Sequence, residues 1–335
     1  MNYIGSKFSL LDFIQDCVSE IAGNNHSVFC DLFAGTGIVG RHFKKNGYSV
    51  IANDLQYYSY VLNRHYIGNC QNLNFDNFNG CDIFEYLNKI PSYKGFIFEN
   101  YAQSGGNNRL YFSDENAIKC DTIRTKIEEL YTQGNINSDE YFFLLCCLLE
   151  GIDKHANTAS VYGAFLKKLK TSAQKKFELH PMEIINSDKP QFVFNKNANE
   201  LVREIETDIL YLDPPYNERQ YASNYHMLET IAKYDNPVLN GKTGLRDYKH
   251  QCSEYCKKQR VAAAFADLIK NARAKYIFLS YNNEGLMPFD TIRAIMETRG
   301  KYGYFTREYN RFKADKNREY SANTTTEYIH WLICE

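Results

Sequence analysis

The sequence predicts an α/β protein with a doubly wound parallel sheet, interrupted by a mostly helical insert. A strand at residues 28–33 runs into a glycine-rich turn, a helix and a second strand at residues 48–52, which is a βαβ unit. A later apolar run, residues 209–212, stops at Asp-Pro-Pro-Tyr, and neither proline can extend a sheet ladder. From about residue 70 to 190 the alternation of strand and helix is lost, which predicts the insert.

The remaining elements follow from the spacing of apolar residues. An amphipathic helix is predicted over about residues 10–21, a second from the turn to about residue 46, and a third with aromatic and aliphatic residues on one face from residue 57. Within the insert, helices are predicted at residues 114–131 and 140–152. The sheet is completed by predicted strands at residues 192–194, 208–212 and 275–280, and by a hairpin of residues 303–309 and 328–333.

Composition limits the classes of protein that are compatible with the sequence. With 335 residues, 44% hydrophobic and 24% charged, the chain can bury one sizeable core plus an inserted subdomain. The net charge is −1, so a surface for nucleic acid must be a local basic patch. Ten cysteines without a C-x-x-C pair predict reduced thiols in the cytoplasm, and we expect no metal site. We expect neither a signal peptide nor a membrane span, because the longest apolar run has only eight residues, 142–149.

The first turn of the βαβ unit predicts a site for an adenosine-bearing cofactor. Gly35, Gly37 and Gly40 match G-x-G-x-x-G, and Asp54 ends the next strand, where an acid can bind ribose hydroxyls. This pattern alone also fits NAD. However, Asp31 precedes the glycines where a dinucleotide fold prefers an apolar residue, and no candidate for hydride transfer follows. An acid beside the glycines suits a cofactor with a cationic centre and no pyrophosphate, such as S-adenosylmethionine.

Asp-Pro-Pro-Tyr at residues 213–216 suits a planar base that carries an exocyclic amine. The amine of adenine is a poor nucleophile, because its lone pair is delocalised into the ring. Asp213 and the carbonyl of Pro214 can accept both amino hydrogens, while Tyr216 stacks on the base, which is worth about 1–3 kcal/mol. A base in a duplex must first be flipped out of the helix. The alternative is an ordinary turn without a catalytic role.

Together these motifs resemble those of the Dam-type (alpha-group) adenine DNA methyltransferases, over about residues 1–67 and 192–335. The resemblance implies a Rossmann-like S-adenosylmethionine-dependent methyltransferase fold, with a catalytic domain of residues 1–69 and 191–335. The insert, residues 70–190, stands in the place of the family's target-recognition domain. Asn197 replaces an acid that contacts the cofactor's adenine amine in the family; its carbonyl can still accept, but the charge is missing.

The predicted site residues follow from the two motifs and from the family resemblance. The catalytic residues are Asp213, Pro214, Pro215 and Tyr216. The cofactor-binding residues are Tyr3, Lys7, Asp31, Phe33, Ala34, Gly35, Thr36, Gly37, Asp54 and Asn197.

Basic residues in two places are candidates for DNA binding. Those in the insert are Lys167, Lys168 and Lys170, and those in the late hairpin are Arg307, Arg311 and Lys313. A solvated surface is the alternative in both cases. Tyr225 is a candidate wedge against the partner of the flipped base, with a packed helix residue as the alternative.

The sequence therefore predicts a cytoplasmic methyltransferase that modifies the N6 amine of adenine in a short target of double-stranded DNA. It is expected to belong to a restriction–modification system, with a cognate restriction endonuclease as a candidate partner. The alternatives are a ribosomal RNA adenine methyltransferase and a catalytically silent DNA-binding specificity subunit, with an NAD dehydrogenase last. The insert favours DNA over RNA, since RNA enzymes of this type tend to be compact.

Overall fold

A computed structural model of the chain describes residues 1, 3–23, 25–78, 82–310 and 324–335. It divides into two compact units. Unit 1 comprises Met1–Ile4, Arg64–Asn186 and Ala222–His250, and unit 2 comprises Gly5–Asn63, Ser187–Tyr221 and Gln251–Glu335. This division differs from the predicted domains at Ala222–His250, which groups with the residues of the predicted insert. The predicted domain boundaries and their roles stay predictions.

Unit 2 is built on one mixed sheet of seven strands in the order β3-β2-β1-β4-β5-β7-β6. The strands are β1 Val28–Asp31, β2 Ser49–Asn53, β3 Phe192–Phe194, β4 Thr207–Leu212, β5 Ala274–Asn282, β6 Gly300–Asn310 and β7 Thr324–Cys334. The first five strands run parallel, whereas β7 is antiparallel to β5 and to β6. The predicted strands and the closing hairpin are confirmed. An antiparallel strand beside β5 also departs from the 3-2-1-4-5-6 order of dinucleotide-binding sheets.

Thirteen α-helices lie within the described residues. They are α1 Leu11–Ala22, α2 Ile38–Lys45, α3 Tyr57–Asn63, α4 Ile83–Lys89, α5 Phe96–Tyr101, α6 Asp114–Thr132, α7 Ser138–Asp153, α8 Thr171–Gln174, α9 Ala198–Leu201, α10 Tyr221–Asn224, α11 His226–Lys233, α12 Val261–Asn271 and α13 Phe289–Met296. Short 3₁₀ helices occur at Phe8–Leu10, Lys249–Gln251, Glu254–Cys256 and Glu297–Arg299, and a π-helix at Arg64–Gly68. None of the helices in the described part of the chain is long and apolar enough to cross a membrane.

The long helices of unit 1 begin at strong capping signals. Ser113 accepts the amide hydrogen of Asn116 at the start of α6. At the start of α7, Asn137 and Glu140 form a reciprocal capping box. Most residues of α7 from Glu140 to Glu150 are buried, so it is a core helix of unit 1, as the predicted apolar run requires.

The core of unit 2 lies between the sheet and the helices that cover it. The sheet contributes buried leucine and isoleucine side chains to this core: Leu210 and Leu212 of β4, and Ile277 and Leu279 of β5. Phe265 of α12 belongs to the same cluster. β1 and β4 are neighbours in the sheet, although β2 and β3 lie on one side and β5 on the other. The strand order reverses at this point, and open α/β sheets bind ligands at the carboxyl ends of the strands there.

Candidate active site

The two predicted motifs leave the sheet at the same edge of unit 2. Asp31, the last residue of β1, is the register partner of Tyr211, and the main-chain amide of Leu32 donates to the Tyr211 carbonyl at 3.2 Å. Asp213 follows two residues beyond Tyr211, at the end of β4. The glycine turn and Asp-Pro-Pro-Tyr therefore emerge side by side from adjacent parallel strands, which is the arrangement that a shared site for cofactor and base requires.

Asp213 takes part in a buried network of charges. The Lys7 ammonium lies 3.0 Å from Oδ1 of Asp213 and 3.0 Å from Oε1 of Glu327. The Lys7 and Glu327 side chains are only 6% and 1% exposed. Ser280 donates a hydrogen bond from its hydroxyl to the same Oε1 of Glu327. The ammonium is thus shared by two carboxylates, one of which belongs to the predicted catalytic motif.

Only one oxygen of Asp213 is engaged in this network. Lys7 contacts Oδ1, and no residue that the structure describes donates a hydrogen bond to Oδ2. The Asp213 side chain is 19% exposed to solvent, whereas the Glu327 side chain is 1% exposed. The carboxylate therefore presents a free acceptor oxygen at the carboxyl edge of the sheet, beside the glycine turn.

Burial controls the protonation of this pair. It raises the pKa of Asp213 to about 6; Lys7 opposes the shift and Glu327 adds to it. Burial also works against the charge of Lys7, but Asp213 and Glu327 outweigh it and raise the pKa of Lys7 well above its usual range. Lys7 is therefore a cation at neutral pH, and its charge favours the ionised form of Asp213.

Tyr216 is held in place through its backbone and its ring. Its carbonyl accepts a hydrogen bond from the Leu286 amide at 3.0 Å, and its side chain packs against the core of unit 2. The Lys7 ammonium lies 5.9 Å from the centre of the ring. The ring remains partly exposed, so it can offer a face to a base.

The glycine turn is tied down by two polar side chains. Asp54 accepts the amide hydrogens of Gly35 and of Gln56, each at 2.8 Å. Asn63 donates to the Gly35 carbonyl at 3.0 Å. Gly37 has φ +75°, and a Cβ there would lie 2.5 Å from Oδ1 of Asn63, so both the backbone conformation and the space require glycine.

Asp31 provides a test of whether this site fits a cationic cofactor. Its carboxylate is buried and accepts the Gly40 amide hydrogen at 3.1 Å, but it forms no ion pair with any residue in the described part of the chain. Burial and the neighbouring Asp213 raise the pKa of Asp31 to about 8, against the effect of the Gly40 hydrogen bond. A buried acid without a cation fits a ligand that brings a positive charge of its own, such as S-adenosylmethionine.

Replacement of Asp31 by Asn is expected to stabilise the ligand-free protein at pH 8.5. The carboxyl has a raised pKa in the folded state, so its contribution to stability is present below pH 3.8 and is lost as the pH rises through about 8. The amide of an asparagine has no such charge to bury. We expect the Tm of Asp31→Asn at pH 8.5 to rise by about 2–4 °C, while its affinity for S-adenosylmethionine falls. Calorimetry at pH 5.5 and 8.5 measures this; an equal Tm change at both values would contradict it.

Other predicted cofactor residues have less distinctive surroundings. Phe33 packs edge-on against Tyr255, with ring centroids 5.0 Å apart, and Ala34 is buried. Thr36 is partly exposed in the turn. Asn197 is exposed and caps α9 by accepting the Asn199 amide hydrogen at 2.9 Å. Its carbonyl oxygen thus already has one donor, and its contact with the cofactor stays a prediction.

Tyr3 and Tyr225 form a stacked pair within unit 1, with ring centroids 4.7 Å apart. The Tyr225 hydroxyl also accepts the Ile4 amide hydrogen at 2.7 Å, and its side chain is fully buried. In this conformation Tyr225 is a packed residue without exposed surface, as in the alternative stated above. Its insertion into DNA would require a different conformation and stays a prediction.

The predicted DNA-binding residues fall into three groups. Lys167 and Lys168 are exposed, while Lys170 is partly buried and donates to the Thr158 carbonyl at 2.8 Å. Arg307 is exposed on β6, with its guanidinium 5.6 Å from the centre of the Phe13 ring. The remaining two, Arg311 and Lys313, lie outside the described residues.

Sequence reasoning missed Glu327 and Asn63. A signal for Glu327 was present, because it is the single acid of β7 and directly precedes the predicted strand Tyr328–Ile333. Its proximity to Lys7, however, depends on the antiparallel pairing of β7 with β5. Asn63 lies at the end of α3, and nothing in its local sequence indicates contact with Gly35.

The chain is similar over most of its length to known DNA methyltransferases. The family model of the D12 class N6 adenine-specific DNA methyltransferases matches residues 3–295. Type II methyltransferase M.NlaIII of Neisseria lactamica is 53% identical over 99% of this chain and 99% of its own length. Type II methyltransferase M.CviAII of Paramecium bursaria Chlorella virus 1 is 36% identical over 100% and 99%.

A third relative is longer than this chain. Type II methyltransferase M.FokI of Planomicrobium okeanokoites is 39% identical over 99% of this chain but only 52% of its own length. The family match and the full-length similarity to M.NlaIII lead to one conclusion: the chain belongs to the D12 class of N6 adenine-specific DNA methyltransferases.

Proposed function

We propose that this protein transfers a methyl group from S-adenosylmethionine to N6 of an adenine flipped out of a short duplex DNA target, as the modification enzyme of a type II restriction–modification system. The observation that carries the proposal is the free Oδ2 of Asp213, next to the glycine turn at the reversal of strand order. Full-length similarity to M.NlaIII supports the restriction–modification context. The proposal also includes the assignment of this protein to the Dam-type alpha group, a cognate endonuclease as its partner and a cytoplasmic location.

The residues of the chain would act on the amine of the base. Oδ2 of Asp213 accepts one amino hydrogen and the carbonyl of Pro214 the other, which draws the nitrogen lone pair out of conjugation with the ring. Pro215 keeps the turn rigid, and Tyr216 stacks on the base. The nitrogen becomes cationic and strongly acidic only as the methyl group arrives, and it can then pass the hydrogen held by Oδ2 to the Asp213 carboxylate, so a strong base is not needed.

Lys7 has a specific part in this scheme. By occupying Oδ1 of Asp213, it directs the amine to Oδ2 and keeps the carboxyl ionised at neutral pH. The Lys7 ammonium also offsets the negative charges of Asp213 and Glu327 when neither cofactor nor DNA is bound. Its predicted contact with the cofactor is compatible with this role but is not required by it.

S-adenosylmethionine would supply a methyl group activated by a sulfonium centre. Asp31 would balance its positive charge. Asp54 would bind the ribose, since a carboxylate oxygen that accepts one amide hydrogen keeps further acceptor capacity. The other residues proposed to line it are Tyr3, Phe33, Ala34, Gly35, Thr36, Gly37 and Asn197.

We assign target recognition to the predicted insert of residues 70–190. Its exposed Lys167 and Lys168 are suited to phosphate contacts. A ribosomal RNA enzyme would share the catalytic motif, and a silent specificity subunit would not need it. The charged network around Asp213 argues for the enzyme, because burying three ionisable side chains is costly without a purpose.

Incubation with radiolabelled S-adenosylmethionine tests the proposal. We expect label to appear in duplex DNA as N6-methyladenine at one short sequence motif, found by sequencing that detects the modified base. Ribosomal RNA that carries no methylated adenine, taken from cells that lack the corresponding methyltransferases, serves as the competing substrate. Labelled RNA with unlabelled DNA would establish the RNA alternative, and no transfer to either would favour a binding module.

Loss of both Lys167 and Lys168 is expected to weaken DNA binding without slowing methyl transfer on saturated enzyme. Each phosphate contact that is lost should reduce the slope of log Kd against log salt concentration by about 0.9. The control is the Lys257→Ala/Lys258→Ala variant, an exposed lysine pair predicted to face solvent. Fluorescence anisotropy between about 50 and 200 mM salt measures the slope; equal slopes for both double variants would remove the insert lysines from the interface.

A further inference from the structure

A second carboxylate, Glu327, lies beside the proposed catalytic aspartate without belonging to any motif of the sequence. It is 1% exposed, and its Oε1 receives both the Lys7 ammonium and the Ser280 hydroxyl. Burial of an ionised carboxylate is costly unless it is paired and hydrogen-bonded. Lys7 supplies the ion pair and Ser280 a hydrogen bond that Glu327 needs for this.

The antiparallel direction of β7 brings Glu327 to the catalytic edge. In the register of β5 and β7, Glu327 is opposite Asn282, the last residue of β5. The carboxyl end of β5 lies beside that of β4, from which Asp213 emerges. A parallel strand would have its carboxyl end at this edge. Because β7 is antiparallel, its amino end lies here instead, and Glu327 is close to the first residue of the strand, Thr324.

Glu327 limits where the Lys7 ammonium can lie. A lysine paired with one carboxylate alone can bridge both of its oxygens or move between them, because the ammonium is a point charge on a flexible stem. Here the second carboxylate holds the ammonium at 3.0 Å, while the Ser280 hydroxyl holds Oε1 of Glu327 in turn. The ammonium is thereby drawn to the side of Asp213 that carries Oδ1, and Oδ2 stays open.

We propose that Glu327 is a positioning residue for methyl transfer: it anchors Lys7 on one oxygen of Asp213, so that the other oxygen is free to accept the adenine amine. This inference rests on the proposed function and adds a residue to it. In this proposal Glu327 acts through Lys7 and not by contact with the base.

The charges around the network determine what its removal should do. Four titratable groups interact electrostatically with Asp213, Lys7 or Tyr216: Asp31 of β1, Tyr211 of β4, Glu284 after β5 and Glu327 itself. In the neighbouring strand β6, Arg307 is the register partner of Glu327. Of the four groups, Glu327 adds to the raised pKa of Asp213. Neutralising Glu327 should therefore lower the pKa of Asp213 and move the acidic limb of the activity profile to lower pH.

The test uses the full-length enzyme with duplex DNA and measures the single-turnover rate of methyl transfer against pH. We expect Glu327→Gln to slow transfer about 10-fold at pH 7.5, to shift the acidic limb downward, and to leave the Kd for DNA within twofold. Glu327→Asp retains the charge and should keep the limb in place. Asp208→Asn is the matched control: it neutralises an ion-paired carboxylate at the opposite end of β4, 2.7 Å from Lys275.

Three outcomes decide the proposal. A slower transfer with a displaced limb supports it, whereas a Glu327→Gln enzyme that loses only thermal stability, like Asp208→Asn, overturns it. If Glu327→Gln does not fold, Ser280→Ala keeps the charge and removes the donor to Glu327; an unchanged transfer rate in this variant also overturns the proposal. Failure of the unsubstituted enzyme to methylate adenine in DNA would instead refute the proposed function.

Discussion

Replacement of Asp213 by Ala is expected to slow methyl transfer by on the order of 10³-fold, while the Kd for S-adenosylmethionine changes only a few-fold. The substitution removes the oxygen that is proposed to accept the amine, and the alanine cannot supply another. The glycine turn, where the cofactor is proposed to bind, is held by hydrogen bonds from Gly35 to Asp54 and from Asn63 to Gly35, and Asp213 takes part in neither. The measurements are single-turnover transfer to duplex DNA and calorimetric titration of the cofactor.

The control for this variant is Asp290→Ala, which removes an exposed carboxylate from the first turn of α13. It should transfer methyl groups at the unsubstituted rate. If Asp213→Ala retained more than about a tenth of the activity, the amine would have to be bound by other groups, and the proposed mechanism would be wrong.

Replacement of Lys7 by Met is expected to destabilise the protein by about 3–5 kcal/mol, because it leaves the buried Glu327 and Asp213 without their shared cation. Lys7 also lowers the pKa of Asp213 against the effect of burial. In the unsubstituted enzyme, activity should fall as the pH drops through about 6, where Asp213 becomes protonated. Without Lys7 the pKa of Asp213 rises, so the acidic limb should move upward, and activity lost at pH 7 should partly return at pH 9.

Chemical denaturation and the pH profile of single-turnover transfer measure the two effects of Lys7→Met. Lys7→Arg keeps the charge and serves as the comparison for the pH profile; it should keep the limb near pH 6. A Lys7→Met enzyme with an unmoved limb would show that Lys7 does not control the ionisation of Asp213.

The sheet and the position of Asp-Pro-Pro-Tyr at the end of β4 could be predicted from sequence because their signals are local. The apolar run of β4 and the two prolines after it define where the strand ends, and the glycines define the turn after β1. Since the carboxyl ends of parallel neighbours share an edge, the juxtaposition of Asp31 and Asp213 also follows from these patterns.

The rest of the site depends on contacts that are distant in the chain. Glu327 is 320 residues from Lys7 in the sequence. The register of the β5–β7 pair, which brings Glu327 to the sheet edge from which Asp213 emerges, has no local signature. The burial of Tyr225 likewise follows from packing against Tyr3, which its own helical pattern does not reveal. The grouping of Ala222–His250 with unit 1 is a tertiary property of the same kind.

The most direct test of the account is a crystal structure of the enzyme with its target duplex and an unreactive analogue of S-adenosylmethionine. We expect the target adenine to lie outside the duplex, with its amine within hydrogen-bond distance of Oδ2 of Asp213, and Lys7 to remain on Oδ1 between Asp213 and Glu327. An adenine amine bound away from Asp213, or Lys7 displaced from Oδ1 to Oδ2, would contradict it.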